Sequence, residues 1–137
     1  MVFDSASSVA FQCTIAPWLS VRQSARAVEF YKLAFGDNEI FRLEDSDGSV
    51  VARLAVKGAE FWLGEESPQH LNFRPESLGG GRVRIVLTVA DPDAVFQRAV
   101  AAGASPVVPV AEGHGWRVGR VVDPFGHHWE IGRELSG

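Results

Sequence analysis

Apolar residues recur with strand and helix periods in the same order in both halves of the chain. In the first half, "CTIAPWLSV" alternates and predicts a strand, and "RQSARAVEFYKLAFG" carries apolar residues at roughly helical spacing up to Gly36, which predicts a helix. Two β-rich runs then flank Asp47-Gly48, a dipeptide typical of a tight hairpin turn, and "GAEFWLG" predicts a further strand. The first half therefore predicts a strand, a helix and three strands.

The same order restarts after residues 67–81, a stretch rich in Pro, Gly, Ser and charge that predicts a linker. The segment "VRIVLTVADPDAVFQRAVAAGA" predicts a strand and a helix that begins near Pro92 and ends at Gly103. Four markers recur at an offset of 67 or 68 residues: Val21 with Val89, Gly36 with Gly103, Gly58 with Gly126, and Leu63 with Ile131. The sequence predicts an α+β domain of two tandem βαβββ modules, residues 10–66 and 82–137, after a loose arm of residues 1–9.

Length, composition and charge restrict the class of protein. A chain of 137 residues with 22% charged and 46% hydrophobic residues is typical of one globular domain with a core. The net charge is -4 and the 13 Lys and Arg residues are scattered, so we expect neither nucleic acid nor a membrane surface as partner. No segment has the length of a membrane span or the pattern of a signal peptide.

The single cysteine, Cys13, excludes an intrachain disulfide and a multi-cysteine zinc site. A reducing cytoplasmic location is therefore expected. Cys13 lies near the start of the first predicted strand, where a buried packing thiol is expected rather than a nucleophile.

Three stretches resemble the vicinal oxygen chelate superfamily, which includes glyoxalase I, bleomycin resistance proteins and extradiol dioxygenases. They are "LSVRQSARAVEFYKLAFG", "VADPDAVFQRAVAAGA" and the closing "GWRVGRVVDPFGHHWEIG", in which an Asp-Pro-Phe-Gly turn precedes an apolar and acidic strand. The resemblance implies that the sheets of the two modules curl into an open cup around a ligand, usually in a homodimer.

The resemblance also implies where metal-bearing relatives hold their ion, on the first and last strand of each module. These positions are occupied here by Ala16, Trp62, Arg84 and Glu130. Alanine has no donor atom, an indole only donates hydrogen bonds, and a guanidinium stays positively charged. We therefore expect no metal at the usual site and no obligatory cofactor.

Strand alternation predicts the side chains on the inner face of the cup. Trp18 and Trp62 fall on this face, where two indoles predict a flat-walled apolar pocket, although they could also fill the cup or a dimer contact. Arg84 and Glu130 could form an ion pair in place of the metal, or Arg84 could bind an anionic group of a ligand. His128 shares the face of Glu130.

The closing segment contains the candidates for other chemistry. His127 is expected at a boundary, bonded to backbone or water, while Trp129 and Ile131 point toward the helices. A divalent metal could be held by His128 and Glu130 together with His114 from the preceding loop.

The stretch "AEGHGWRVGR" is flanked by glycines and could form a mobile rim that carries Trp116 over the cup. Arg117 and Arg120 in this stretch are expected to be solvated charges, with a second anion contact as the alternative.

The sequence thus favours a protein that binds a small hydrophobic or aromatic, and potentially anionic, molecule without the usual metal. By resemblance this is drug or metabolite sequestration, as in bleomycin resistance proteins. The alternative is a divalent-metal-dependent lyase, isomerase or dioxygenase with a relocated site around Glu130 and His128, and a third possibility is a regulatory or structural dimer whose cup is filled by its own side chains. The predicted ligand-binding residues are Trp18, Trp62, Arg84, Trp116, His128 and Glu130.

Overall fold

The computed structural model describes residues 13–80 and 83–136. The predicted arm of residues 1–9, residues 10–12 at the start of the predicted first module, residue 81 at the end of the predicted linker, and residues 82 and 137 at the two ends of the predicted second module lie outside the described residues. It confirms an α+β fold of two tandem βαβββ modules. The elements of the first module are β1 Trp18–Val21, α1 Ser24–Phe35, β2 Asn38–Glu44, β3 Val50–Val56 and β4 Ala59–Glu65. Those of the second module are β5 Arg84–Thr88, α2 Pro92–Ala102, β6 Ser105–Gly113, β7 Trp116–Val122 and β8 His128–Glu134.

Each module forms its own four-stranded sheet, and the two sheets have the same topology. The strand orders are β1-β4-β3-β2 and β5-β8-β7-β6, with the first two strands of each order parallel and the others antiparallel. Trp18 pairs with Trp62 in the first sheet, and Val86 pairs with Glu130 at the same two positions, 68 residues later, in the second. The repeat predicted from the sequence is therefore present in the pairing register.

The two helices begin in different ways. Asp91 caps α2 locally, since its side chain accepts a hydrogen bond from the backbone N–H of Ala94. No neighbouring side chain caps α1; instead the carboxylate of Glu65, at the end of β4, accepts hydrogen bonds from the backbone N–H groups of Gln23 and Ser24. The first helix is thus fixed to the end of a central strand of its own module by a contact distant in sequence.

A shared aromatic core joins the modules. Trp129, on the side of β8 that faces the helices, is 2% exposed and packs its ring against Tyr31, Phe35 and Phe61 of the first module. The buried carboxylate of Asp123 accepts hydrogen bonds from the hydroxyl of Tyr31 and from the indole N–H of Trp129. Burial raises the pKa of Tyr31 well above its usual value, so the phenol keeps the proton that it donates.

Two local predictions differ from the structure. Cys13 is exposed, not buried, because β1 begins only at Trp18 and the thiol precedes the sheet. The Asp47-Gly48 hairpin is present, but only Gly48 has a positive φ, 89°, and the loop is wider than a two-residue turn because Asp45 and Ser49 close it. Among the described residues, no helix is long and apolar enough to cross a membrane.

Candidate functional site

The first module presents a stacked pair of indoles on the sheet face that points away from the helices. The rings of Trp18 and Trp62 lie 6.1 Å apart between centroids, with 12° between their planes. Trp18, on the edge strand, remains 46% exposed and lies across Gly64. A β-carbon at Gly64 would come within 2.5 Å of the Trp18 ring, so the absence of a side chain there allows the indole to lie flat on the sheet.

Two residues that the sequence analysis missed extend this surface. The Phe41 ring centroid lies 5.9 Å from that of Trp62, and the guanidinium carbon of Arg53 stands 5.3 Å from the Trp62 ring. Arg53 also approaches the carboxylate of Glu60 at 3.7 Å. A cation over an indole is attracted by the ring quadrupole. Alternation along the second and third strands, applied to module one, would have placed Phe41 and Arg53 on this face.

Two cavities adjoin Trp18. One, of about 630 Å³, lies over the first sheet beside Leu43 and Val51; the other, of about 410 Å³, lies at the module junction beside Phe73 and Ile85. Both volumes are in the range of small-molecule pockets. Neither is lined by Arg84 or by Glu130, so these cavities do not unite the tryptophans with the charged residues predicted to share their cup.

The second module presents charges at the corresponding positions. Oε2 of Glu130 lies 3.4 Å from Nη1 of Arg84, which confirms the predicted proximity of the two side chains, and also 3.4 Å from Nη2 of Arg120. The expectation that Arg120 is solvated was wrong. Arg120 pairs directly with Glu130 in the β7–β8 register, so its side chain emerges beside the carboxylate.

The histidines do not converge with Glu130 into a three-residue metal site. His128 begins β8 and pairs with Val122, whereas His114 lies in the turn before Trp116, at the other end of β7. Six residues of strand separate Val122 from Trp116, a distance of about 20 Å. Within residues 13–80 and 83–136, no group of three or more His, Cys, Asp and Glu side chains is placed to hold a metal ion.

The glycine-flanked stretch forms a β-hairpin. Trp116 is the first residue of β7 and pairs with Gly113 and Glu134, about 13 Å along the strand from the Arg120 position. Arg117 is not merely solvated, because its Nε and Nη2 donate to the two carboxylate oxygens of Asp93 at 2.6 and 2.7 Å. This hydrogen bonding lowers the pKa of Asp93.

His127 lies at the module boundary as predicted. Its Nε2 is 2.9 Å from the backbone oxygen of Ser20, on the edge strand of the first module. His127 thus serves the contact between modules, and its neighbour His128 faces the other side of the sheet.

The residues at the superfamily's metal-ligand positions do not fit a divalent ion. Ala16, Trp62 and Arg84 supply no donor for one, and Glu130 alone offers carboxylate oxygens. That carboxylate already lies between two guanidinium groups. A cation placed there would meet two positive charges in place of two ligands.

Comparison with known proteins agrees with the fold. Residues 17–132 match the family model described as a glyoxalase-like domain. The uncharacterized protein Mb0911c of Mycobacterium bovis is 43% identical over 127 residues, which cover 88% of this chain and 83% of that protein. The crystal structure of TioX from Micromonospora sp. ML1 is 27% identical with a TM-score of 0.69, covering 90% of this chain and 100% of that chain. FosX, a fosfomycin resistance protein of Listeria monocytogenes, shares the fold with a TM-score of 0.70 at 15% identity, covering 91% of this chain and 95% of that one.

Proposed function

Because the chain belongs to the glyoxalase-like domain family of the vicinal oxygen chelate superfamily, we propose that it binds a small hydrophobic or aromatic molecule on the tryptophan face of its first module. The proposal includes sequestration of a drug or metabolite rather than its chemical conversion. The observation that carries it is the stacked, partly exposed pair Trp18 and Trp62. A surface tryptophan pair has no evident role in the packing of the core.

The geometry favours a flat ligand. A planar ring can stack on the exposed side of Trp18 and reach Phe41, and each aromatic contact contributes about 0.5 to 1.5 kcal/mol beyond the apolar area that it buries. Arg53, standing over Trp62, offers a polar edge that orients such a ligand. Binding of this kind uses no metal ion, which agrees with the donor set at the superfamily's ligand positions.

The relatives are compatible with a role in small-molecule handling. FosX is a fosfomycin resistance protein, so this fold serves antibiotic resistance in at least one organism. For this chain, resistance by sequestration would require only a ligand affinity high enough to lower the free drug concentration.

We also propose a homodimer, because the exposed apolar side chains Leu43 and Val86, each 60% exposed, lie on the two sheet faces that a second copy could cover. The mass of the protein in solution distinguishes a dimer from a monomer.

Tryptophan fluorescence tests the ligand site directly. N-phenyl-1-naphthylamine, a neutral aromatic probe, is titrated into the protein while indole emission is followed. We expect Trp62→Ala to weaken binding about tenfold, since it removes the indole on which Trp18 stacks. Leu33→Ala is the matched control, because Leu33 is an apolar side chain, 65% exposed, on α1.

Two results would contradict the proposal. Unchanged probe affinity in Trp62→Ala would assign the indole to packing alone. Elemental analysis that found about one divalent metal per chain, lost in Glu130→Gln, would favour the metal-dependent lyase, isomerase or dioxygenase instead.

A further inference from the structure

We infer that the second module carries a separate site for the oxyanion group of a small organic acid, formed by Arg84 and Arg120, in which Glu130 acts as the resident counter-ion. The inference does not rest on the tryptophan site, because its residues lie on the other sheet. The oxyanion is a carboxylate or a phosphoryl group, since both match the planar fork of a guanidinium.

The charges of this cluster are incompletely neutralised. Two guanidinium groups share one carboxylate, and both approach the same oxygen, Oε2 of Glu130, at 3.4 Å. Charge-assisted N–H···O bonds are ordinarily about 2.7 to 2.9 Å long. The two arginines and Glu130 together therefore carry one net positive charge, and most of the arginine N–H donors are uncommitted to Glu130.

Buried polar atoms without partners lie on the same face. Nε of Arg120 and Nδ1 of His128 are inaccessible to solvent and have no hydrogen-bond partner in the part of the chain that the structure describes. Nε of Arg120 is a donor, and Nδ1 of His128 donates or accepts according to the tautomer; buried polar atoms of this kind are rare in folded proteins, because leaving them unpaired costs free energy. A ligand oxygen would reach Nε of Arg120 only after the guanidinium turned toward solvent, and it would then supply the missing acceptor. Arg84, with 55% of its side chain exposed, would form the entrance of the site.

The surroundings favour an organic acid over a bare inorganic ion. The positions paired with Glu130, Arg120 and His128 across the sheet include Val86, Val108 and Val122, so apolar side chains border the charges. Val86 and Val108 are 60% and 46% exposed. An apolar ligand body can cover these valines while its acidic group meets the arginines, and the reduced dielectric strengthens the ionic contact.

Nuclear magnetic resonance titration of the full chain tests the site. Cyclohexanecarboxylate is the probe, because it has an acidic group and an apolar body but no aromatic ring, and inorganic phosphate in a second titration tests the phosphoryl alternative. The Nε–H signals of Arg84 and Arg120 are followed at constant ionic strength. We expect at least one of the two anions to shift both signals in a saturable manner, and the neutral analogue cyclohexanemethanol to leave them unchanged.

Substitutions of opposite charge give opposite expected effects. Arg120→Gln and the more exposed Arg84→Gln should each weaken anion binding at least fivefold, whereas Glu130→Gln should strengthen it about fivefold by removing the competing carboxylate. Arg26→Gln, on the surface of α1, removes the same charge elsewhere and should have no effect. Trp62→Ala should also leave anion binding unchanged, which separates this site from the proposed aromatic site.

The inference is overturned if neither anion shifts the arginine signals. It is also overturned if Glu130→Gln weakens binding, because Glu130 would then contact the ligand itself, or if Arg26→Gln weakens binding as much as Arg120→Gln, because the effect would then be one of net charge. Thermal melting of each variant confirms that it is folded before titration. If Arg120→Gln or Glu130→Gln does not fold, Arg84→Gln provides the test.

Discussion

The two sheet faces of this protein have one backbone plan and opposite chemistry. Arg53 pairs with Trp62 across the first sheet, and Arg120 pairs with Glu130 at the equivalent place in the second. In the first module the guanidinium lies over an indole, and in the second it lies beside a carboxylate. The residue opposite the arginine therefore decides whether the face is aromatic or ionic, while the sheet geometry stays the same.

The edge strands β1 and β5 also carry different side chains at equivalent positions. Trp18 and Val86 occupy equivalent positions, so the first face has a second indole where the second face has an exposed aliphatic side chain. Duplication thus supplies two similar frameworks, and a few substitutions on one face of each are enough to separate their ligands.

The largest expected effect comes from the junction that holds the two faces in one domain. Asp123→Ala removes the acceptor for the Tyr31 hydroxyl, the Trp129 indole and two backbone N–H groups of its own turn. Because three of these four hydrogen bonds are buried, we expect the free energy of unfolding in urea to fall by about 4 kcal/mol.

Asp47→Ala is the matched control for this prediction. Asp47 makes the same side-chain bond to the backbone two residues ahead, at Ser49, but in an exposed hairpin of the first module. Its loss should have a much smaller effect on stability. Equal effects of the two substitutions would show that the bonds to Tyr31 and Trp129 contribute little.

A second prediction concerns the residue that follows the C-terminal glycine of each helix. The second module has the buried Ala104 there, whereas the first has Asp37, whose carboxylate is buried without a hydrogen-bond partner among the described residues. Burial raises the pKa of Asp37 to about 7. An acid whose folded pKa exceeds its unfolded value stabilises the protein less as pH rises between about 4 and 7.

Asp37→Ala gives the first module the residue found at this place in the second. Relative to the parent, its free energy of unfolding should be higher at pH 8 than at pH 4, by about 1 to 3 kcal/mol. Urea unfolding at a series of pH values measures the difference. The reciprocal Ala104→Asp should introduce a loss of stability that grows with pH. If the difference between Asp37→Ala and the parent were constant from pH 4 to pH 8, the pKa of Asp37 would be the same in the folded and unfolded chains and the prediction would be wrong.

The last comparison concerns two equivalent glycines, one of which, Gly64, has the smallest expected effect on stability. In Gly132→Ala the new β-carbon would lie 2.7 Å from the backbone oxygen of Arg117, which cannot move freely, so we expect a loss of about 1 to 3 kcal/mol. In Gly64→Ala the nearest atoms to the new β-carbon would belong to the side chain of Trp18, which can turn away, and the loss should stay within about 1 kcal/mol.

The variant that loses less stability, Gly64→Ala, should lose more affinity for the aromatic probe. Gly64→Ala displaces the Trp18 ring and should weaken the binding of the aromatic probe severalfold. Gly132→Ala leaves the first module intact, so probe binding should be unchanged. Denaturation and fluorescence titration of both variants measure the two effects. Unchanged probe affinity in Gly64→Ala would show that Trp18 does not contribute a wall to the site.

Much of the fold and part of the site could be predicted from local pattern. Strand alternation placed Trp18 and Trp62 on one face, because side chains of paired strands share a face. The family resemblance, with which the repeat offset agrees, placed Arg84 near Glu130. The prediction for Arg120 was wrong because its partner depends on which residue of β7 pairs with which residue of β8. The β6–β7 pairing contains two register shifts, so the position of Arg120 in the sheet cannot be found by counting residues along β6. Cys13 was misplaced because strand ends are set by pairing, not by periodicity.

Periodicity and turn residues in the chain determined the duplicated βαβββ plan, the helix that begins after Asp91, and the inward faces of the strands. These features depend on residues a few positions apart, and their energetics are local. Only the tertiary structure decided the others: the capping of α1 by Glu65, the buried bonds of Asp123 to Tyr31 and Trp129, and the sharing of Glu130 by two arginines. Each of these joins groups brought together by packing, so its partner cannot be identified before the chain has folded.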